Sequence, residues 1–153
     1  MELILWRHAE AEDAGPQGDS SRSLTKRGRK QAERMAAWLR PRLEGQWKIL
    51  SSPALRAVQT VTPLDLAFEL RPSIDTSGSA EALLREAQWP HGGRVVVVGH
   101  QPTLGEVAAI LMSGVEGDIG IRKGAMWWFA TRERGGFTET VVKAVLNPEL
   151  LGA

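Results

Sequence analysis

Short apolar runs alternate with stretches in which apolar residues recur every three or four positions, a pattern that predicts strands followed by helices. Leu3–Trp6 is an apolar run that stops at Arg7-His8, as a buried strand feeding a polar loop does. Glu12–Ser23 is rich in Gly, Asp and Ser and reads as loop. Leu24, Ala32, Met35, Ala36 and Leu39 fall near helical spacing behind Thr25, a candidate N-cap, and Pro41 ends that helix. Ile49-Leu50 reads as a second buried strand. Ser52-Pro53 offers an N-cap and a proline at the first helical position, which predicts a helix through about Thr60. Phe68–Leu70 suits a short edge strand and Glu81–Gln88 a helix. The clearest buried strand is Arg94–Val98, with its four consecutive valines. Gly99-His100-Gln101-Pro102 turns it into a helix on which Leu104, Val107, Ala108 and Leu111 share a face. Met126–Ala130 and Thr138–Leu146, joined by Arg134-Gly135-Gly136, predict a hairpin.

Alternating strands and helices followed by a hairpin predict a three-layer α/β/α sandwich with a mostly parallel, mixed sheet. No Pro/Ser linker divides the chain, so residues 1–153 are expected to form one domain. The composition, 42% apolar and 24% charged, is that of a soluble globular protein. There is no cysteine, which excludes a disulfide framework and a thiolate metal site and is compatible with a cytoplasmic location. No apolar run approaches a bilayer span, and the N-terminus reads as a strand rather than a signal peptide. With a net charge of +1, the overall balance gives no reason to expect nucleic acid or a membrane surface as partner.

The unusual residues sit where three predicted strands end: Arg7-His8, then Ser51-Ser52-Pro53 with Arg56 one turn on, then Gly99-His100. Ligands of open α/β sheets bind beyond the carboxyl ends of strands. If these strands are neighbours, two imidazoles and two guanidiniums converge there. Arginines repel a cation, so the set is a poor metal site. It suits a phosphoryl dianion, because guanidinium forks match phosphate oxygens and helix N-termini add N–H groups.

Leu5-Trp6-Arg7-His8-Ala9-Glu10 resembles the Arg-His-Gly signature of the histidine phosphatase superfamily, with Ala9 where that family usually has Gly. Leu24-Thr25-x-x-Gly28-x-x-Gln31-Ala32, Ser51-Ser52-Pro53-x-x-Arg56-Ala57-x-Gln59-Thr60 and Val97-Val98-Gly99-His100-x-Pro102 resemble its later blocks, in order. The short chain and Arg22-Ser23-Leu24-Thr25 are most similar to SixA-type phosphohistidine phosphatases. The resemblance implies that His8 attacks phosphorus and carries the phosphoryl group, while Arg7, Arg56 and His100 hold its equatorial oxygens. It also implies a metal-independent phosphohydrolase without a cofactor, releasing inorganic phosphate. His8 must be neutral at its attacking nitrogen, and an acceptor, expected to be a backbone carbonyl, must fix the tautomer.

Arg22 is poised between a phosphate contact and a salt bridge to Asp19. His91 is expected in a loop, Glu10, Glu12 and Asp13 on a solvated face, and Arg122-Lys123 in a solvated turn. Trp127-Trp128 should point to opposite faces of a strand. An alkoxide leaving group needs a proton. Glu81 and Asp75 are the candidate acids, and Glu81, opening a helix, is the better placed. Two substrates stay open: a phosphorylated protein carrying phosphohistidine, or a small phosphoester hydrolysed with Glu81 as acid. A non-catalytic phosphate-binding module is the reading from another class, and nothing in the chain favours it.

Overall fold

The computed structural model describes residues 1–152. Six strands form one sheet: β1 (Glu2–Arg7), β2 (Lys48–Ser51), β3 (Glu69–Leu70), β4 (Arg94–Gly99), β5 (Met126–Arg134) and β6 (Phe137–Leu146). Their spatial order is β3-β2-β4-β1-β5-β6. The β3-β2-β4-β1 portion is parallel, and β5 and β6 add antiparallel. Four helices connect the parallel strands and the hairpin: α1 (Lys26–Leu39), α2 (Leu55–Val61), α3 (Ala80–Glu86) and α4 (Thr103–Ser113).

The strand period of two separates the core into two layers. Leu3 and Leu5 of β1, with Val95 and Val97 of β4, face Leu83 of α3 and Leu104, Val107 and Ala108 of α4. Ile4 and Trp6, with Val96 and Val98, face Met35, Ala36 and Leu39 of α1 and Ala57 and Val61 of α2. Both faces of β1 and β4 are therefore covered, which is why they read as continuous apolar runs. Trp127 and Trp128 serve opposite layers, as alternation requires. At the hairpin turn, Gly135 and Gly136 both have positive φ (58° and 82°), which glycine adopts freely.

The chain leaves β1 through α1 toward β2 and leaves β4 through α4 toward β5. These exits run in opposite directions from adjacent strands, so a crevice opens at the carboxyl ends of β1 and β4.

One expectation is corrected. The second helix opens at Leu55, two residues later than the Ser52-Pro53 signal predicts. Ser52 Oγ accepts from the Ala54 N–H and pairs with His100 Nε2, so it shapes the turn before the helix instead of capping it.

Thr25 does cap α1, accepting from the Gly28 N–H. A β-carbon on Gly28 would overlap the Glu10 carbonyl, so the first turn of α1 lies directly on the loop leaving β1. Gly28→Ala should destabilise the fold by about 1–3 kcal/mol, as overpacking typically does. Urea unfolding at neutral pH checks this, and an unchanged midpoint would mean that α1 can move away from the loop at no cost.

Candidate active site

The loop after β1 is fixed from three directions. Arg7 N–H donates to the Ala125 carbonyl, His8 N–H to Gly99, and Gly124 N–H to the carbonyls of Arg7 and His8. Ala9 N–H donates to Thr60 Oγ1, Glu10 N–H to Gln31 Oε1 and Leu24 N–H to Gln59 Oε1. Gln31, Gln59 and Thr60 thus clamp the backbone around His8. Ala9 is not among the residues with positive φ, so its β-carbon is unstrained, and it packs on Leu24 and Ala32.

His8 is buried, with its Nδ1 2.8 Å from the Ala9 carbonyl. A carbonyl can only accept, so Nδ1 carries the proton and Nε2 keeps its lone pair. That is the expected acceptor and the tautomer a nucleophile needs. Burial, then the charges of His100, Arg56 and Arg7, push the His8 pKa down to about 3, against the bond to Ala9. His100 stands beside it, ring centroids 5.2 Å apart. Its Nδ1 lies 3.4 Å from an Arg56 nitrogen and its Nε2 2.8 Å from Ser52 Oγ. Arginine can only donate, so His100 accepts at Nδ1 and donates at Nε2. Burial and Arg56 push its pKa down to about 4.

Arg56, 3% exposed, donates to the Asp19 carbonyl at 2.9 Å and to its Oδ2 at 3.1 Å. Arg7 donates to the Ile121 carbonyl at 2.8 Å, and burial and Arg56 disfavour its charge. The Nε–H groups of Arg7 and Arg56 are buried without a partner. Orphaned buried donors on two cations are costly until an anion answers them.

The structure thus brings together His8, Arg7, Arg56 and His100. Arg22 takes the Asp19 pairing, at 3.2 Å, and donates to the Glu12 carbonyl. Asp19 therefore bridges Arg22 and Arg56. Its pKa is lowered, since those two arginines outweigh the opposing effect of burial.

Glu81 is not brought into the cluster. It stands exposed in the first turn of α3, makes no hydrogen bond or ion pair among the described residues, and its charge is not felt by either histidine. The preference for Glu81 over Asp75 is corrected on this point. Ser79 caps α3 by accepting from the Ala82 N–H, while the charge of Asp75, two residues before Ser77, bears on His100. Hydrogen bonds from the Ser77 hydroxyl and N–H hold the Asp75 carboxyl below its usual range. Sequence reasoning missed Ser52 and Asp19 as members of the site. The position of Ser52 beside a strand end was the available signal; nothing local marked Asp19.

A family model for the histidine phosphatase superfamily (branch 1) matches residues 3–77. A phosphohistidine phosphatase SixA homolog of Haemophilus influenzae is 32% identical over 127 residues, covering 72% of this chain and 77% of its own. An uncharacterized protein of a Picosynechococcus strain is 35% identical over 147 residues, covering 82% and 87%. Among solved structures, the protein histidine phosphatase SixA complexed with tungstate superposes with a TM-score of 0.83 at 25% identity, covering 99% of this chain and 100% of that one. A protein of Agrobacterium tumefaciens described as SixA gives 0.79 at 22% identity, covering 96% and 98%.

The depressed histidines make stability depend on pH. Between about pH 6.5 and the folded values near 3 and 4, the unfolded chain binds protons that the folded site refuses, so stability falls as pH falls through that window. The melting temperature should drop on acidification from pH 7 to 4.5, and the drop should be smaller in His8→Asn. Equal drops in both proteins would show that His8 is not held neutral by the fold.

Proposed function

The chain belongs to the histidine phosphatase superfamily and is a phosphatase, and from that premise we propose that it hydrolyses phosphohistidine on proteins through a covalent intermediate on His8. One observation carries the choice of leaving group. The two carboxylates whose charge bears on His100 are engaged as acceptors, Asp19 from Arg22 and Arg56 and Asp75 from the Ser77 N–H and hydroxyl, and these bonds favour the ionised form of both. A general acid needs a pKa near the working pH, so neither is poised to protonate an alkoxide. The imidazole of phosphohistidine leaves readily without such help. The Haemophilus influenzae relative, a phosphohistidine phosphatase SixA homolog, supports the same class of substrate.

In this reading the phosphoryl group enters the crevice between β1 and β4, and its oxygens take up the free Nε–H groups of Arg7 and Arg56. The His8 Nε2 lone pair attacks phosphorus in line. The distal ring nitrogen of the substrate phosphohistidine carries a proton taken from solvent, so the P–N bond breaks with neutral imidazole as leaving group and no enzyme acid is needed. Ala9 stabilises the positive charge that develops on His8 by accepting from Nδ1–H. Bound phosphoryl also reverses the field at His100. Burial and Arg56 outweigh Asp19 and Asp75 and keep it neutral, but beside a dianion it can take a proton and donate to an equatorial oxygen. Water then attacks the phosphorus of phospho-His8, releasing inorganic phosphate and restoring the Nε2 lone pair. The transfer rests on positioning and positive charge, which the arginines supply.

A series of leaving groups tests the reading. Turnover per unit of enzyme should fall from a phosphohistidine peptide to nitrophenyl phosphate to an alkyl phosphate, and Glu81→Gln should leave the first unchanged. Efficient alkyl phosphate hydrolysis that Glu81→Gln slows by roughly 10²–10⁴-fold, the usual worth of a general acid, would establish a small-molecule phosphomonoesterase instead.

A further inference from the structure

Two joined clefts leave the site on the side of Arg7. The first, about 640 Å³, runs from Arg7 past Arg27, Arg122 and Lys123; the second, about 550 Å³, continues along α1 past Lys26, Lys30 and Arg34. Together they hold seven of the chain's 19 basic residues and two of its 18 acidic ones, Glu10 and Glu149, so the rest of the molecule is net acidic. Arg122 pairs with Glu149 at 2.7 Å and Arg27 lies 3.8 Å from Glu10. Lys26, Lys30, Arg34 and Lys123 form no ion pair among the described residues.

Apart from Arg27 beside Glu10 and Arg122 on Glu149, these charges form no ion pair within the fold among the described residues. Lys26, Arg27, Arg29 and Lys30 crowd the start of α1, whose first turn contains no acid. A helix N-terminus carries partial positive charge, so cations there are unfavourable, and a helix selected for stability alone would carry Asp or Glu. A partner that supplies negative charge removes the conflict. From Lys26 to Arg34 the helix extends ~12 Å, at ~1.5 Å per residue. That length exceeds a single phosphate and matches an extended acidic segment. No aromatic side chain lines either cleft, whereas sequence-tolerant single-strand binding stacks bases on aromatic rings. Glu10 and Glu149 would face a phosphate backbone at close range, but can pair with the occasional cation or amide of a peptide.

We infer that the joined clefts dock an acidic stretch of the protein substrate that flanks its phosphorylated histidine, which enters beside Arg7. The inference rests on the phosphohistidine reading of the site. Docking of this kind speeds encounter through long-range attraction and weakens with salt.

The test uses the triple variant Arg27→Glu/Lys30→Glu/Lys123→Glu, in which no residue of the phosphoryl site is changed. Its substrates are a phosphohistidine peptide flanked by glutamates, the same peptide with glutamines, and free phosphohistidine. The wild-type protein should favour the glutamate peptide by roughly tenfold in kcat/KM at low ionic strength, mainly through KM, and lose that preference in high salt. The variant should show no preference, hydrolyse free phosphohistidine at the wild-type rate and melt no lower than wild type. Binding of the unphosphorylated glutamate peptide, followed by fluorescence anisotropy, should weaken by the same factor in the variant. That binding is measured without turnover, so it stands even where phosphohistidine is not hydrolysed, and the two readings fail separately. Equal binding of glutamate and glutamine peptides, or tighter binding of an oligothymidylate, would overturn the inference.

Discussion

The structure is organised around a concentration of positive charge that it cannot neutralise alone. Arg7, Arg56, His8 and His100 share one crevice, and each guanidinium keeps a buried Nε–H without a partner. The fold limits the cost in two ways. Both histidines are held neutral by burial and by the arginines, with pKa values of about 3 and 4. Asp19 lends a carboxylate from the preceding loop, bridging Arg56 and Arg22. Neither device reaches the two Nε–H groups. The chemistry proposed for the site follows from this unfinished neutralisation.

Holding such a cluster together demands a rigid backbone, and much of the chain provides it. β1 is paired on both edges along its length, by β4 and by β5. Beyond its end, three side chains from two helices, Gln31 on α1 and Gln59 and Thr60 on α2, each secure one backbone N–H of the 9–24 region. Gly28 lets α1 approach the Glu10 carbonyl more closely than any other residue would allow. Gln31, Gln59 and Thr60 of the motif blocks therefore hold the loop that aims His8.

What could be read from the chain was what periodicity and strand ends encode. β1 and β4 were legible because burial on both faces leaves an unbroken apolar run; Arg7, His8 and His100 were legible because they close such a run, and Arg56 because it lies one turn beyond the Ile49-Leu50 run. The Ser52-Pro53 helix start was misplaced because a capping signal is local, whereas Ser52 is engaged by His100, 48 residues away. That Glu81 lies outside the cluster was hidden from the sequence for a similar reason. A helix first turn looks favourable for an acid in sequence, but which carboxylate reaches the histidine depends on how the 75–79 loop packs against the β4–α4 turn, where Thr103 donates to the Gly78 carbonyl. Arg122 and Lys123 read as a plain solvated turn, and they are exposed. Their place beside Arg7 comes from the antiparallel pairing of β5 with β1, a contact across more than a hundred residues.

The claim that His8 carries the phosphoryl group is tested most directly by trapping the intermediate. The protein is mixed with a phosphohistidine peptide, quenched within the first turnover at alkaline pH, digested and sequenced by mass spectrometry. The account predicts one phosphorylated residue, His8, with a linkage stable to alkali and lost in acid, and no label in His8→Ala, which should also lack turnover. A label on any other residue, or turnover by His8→Ala near the wild-type rate, would contradict it.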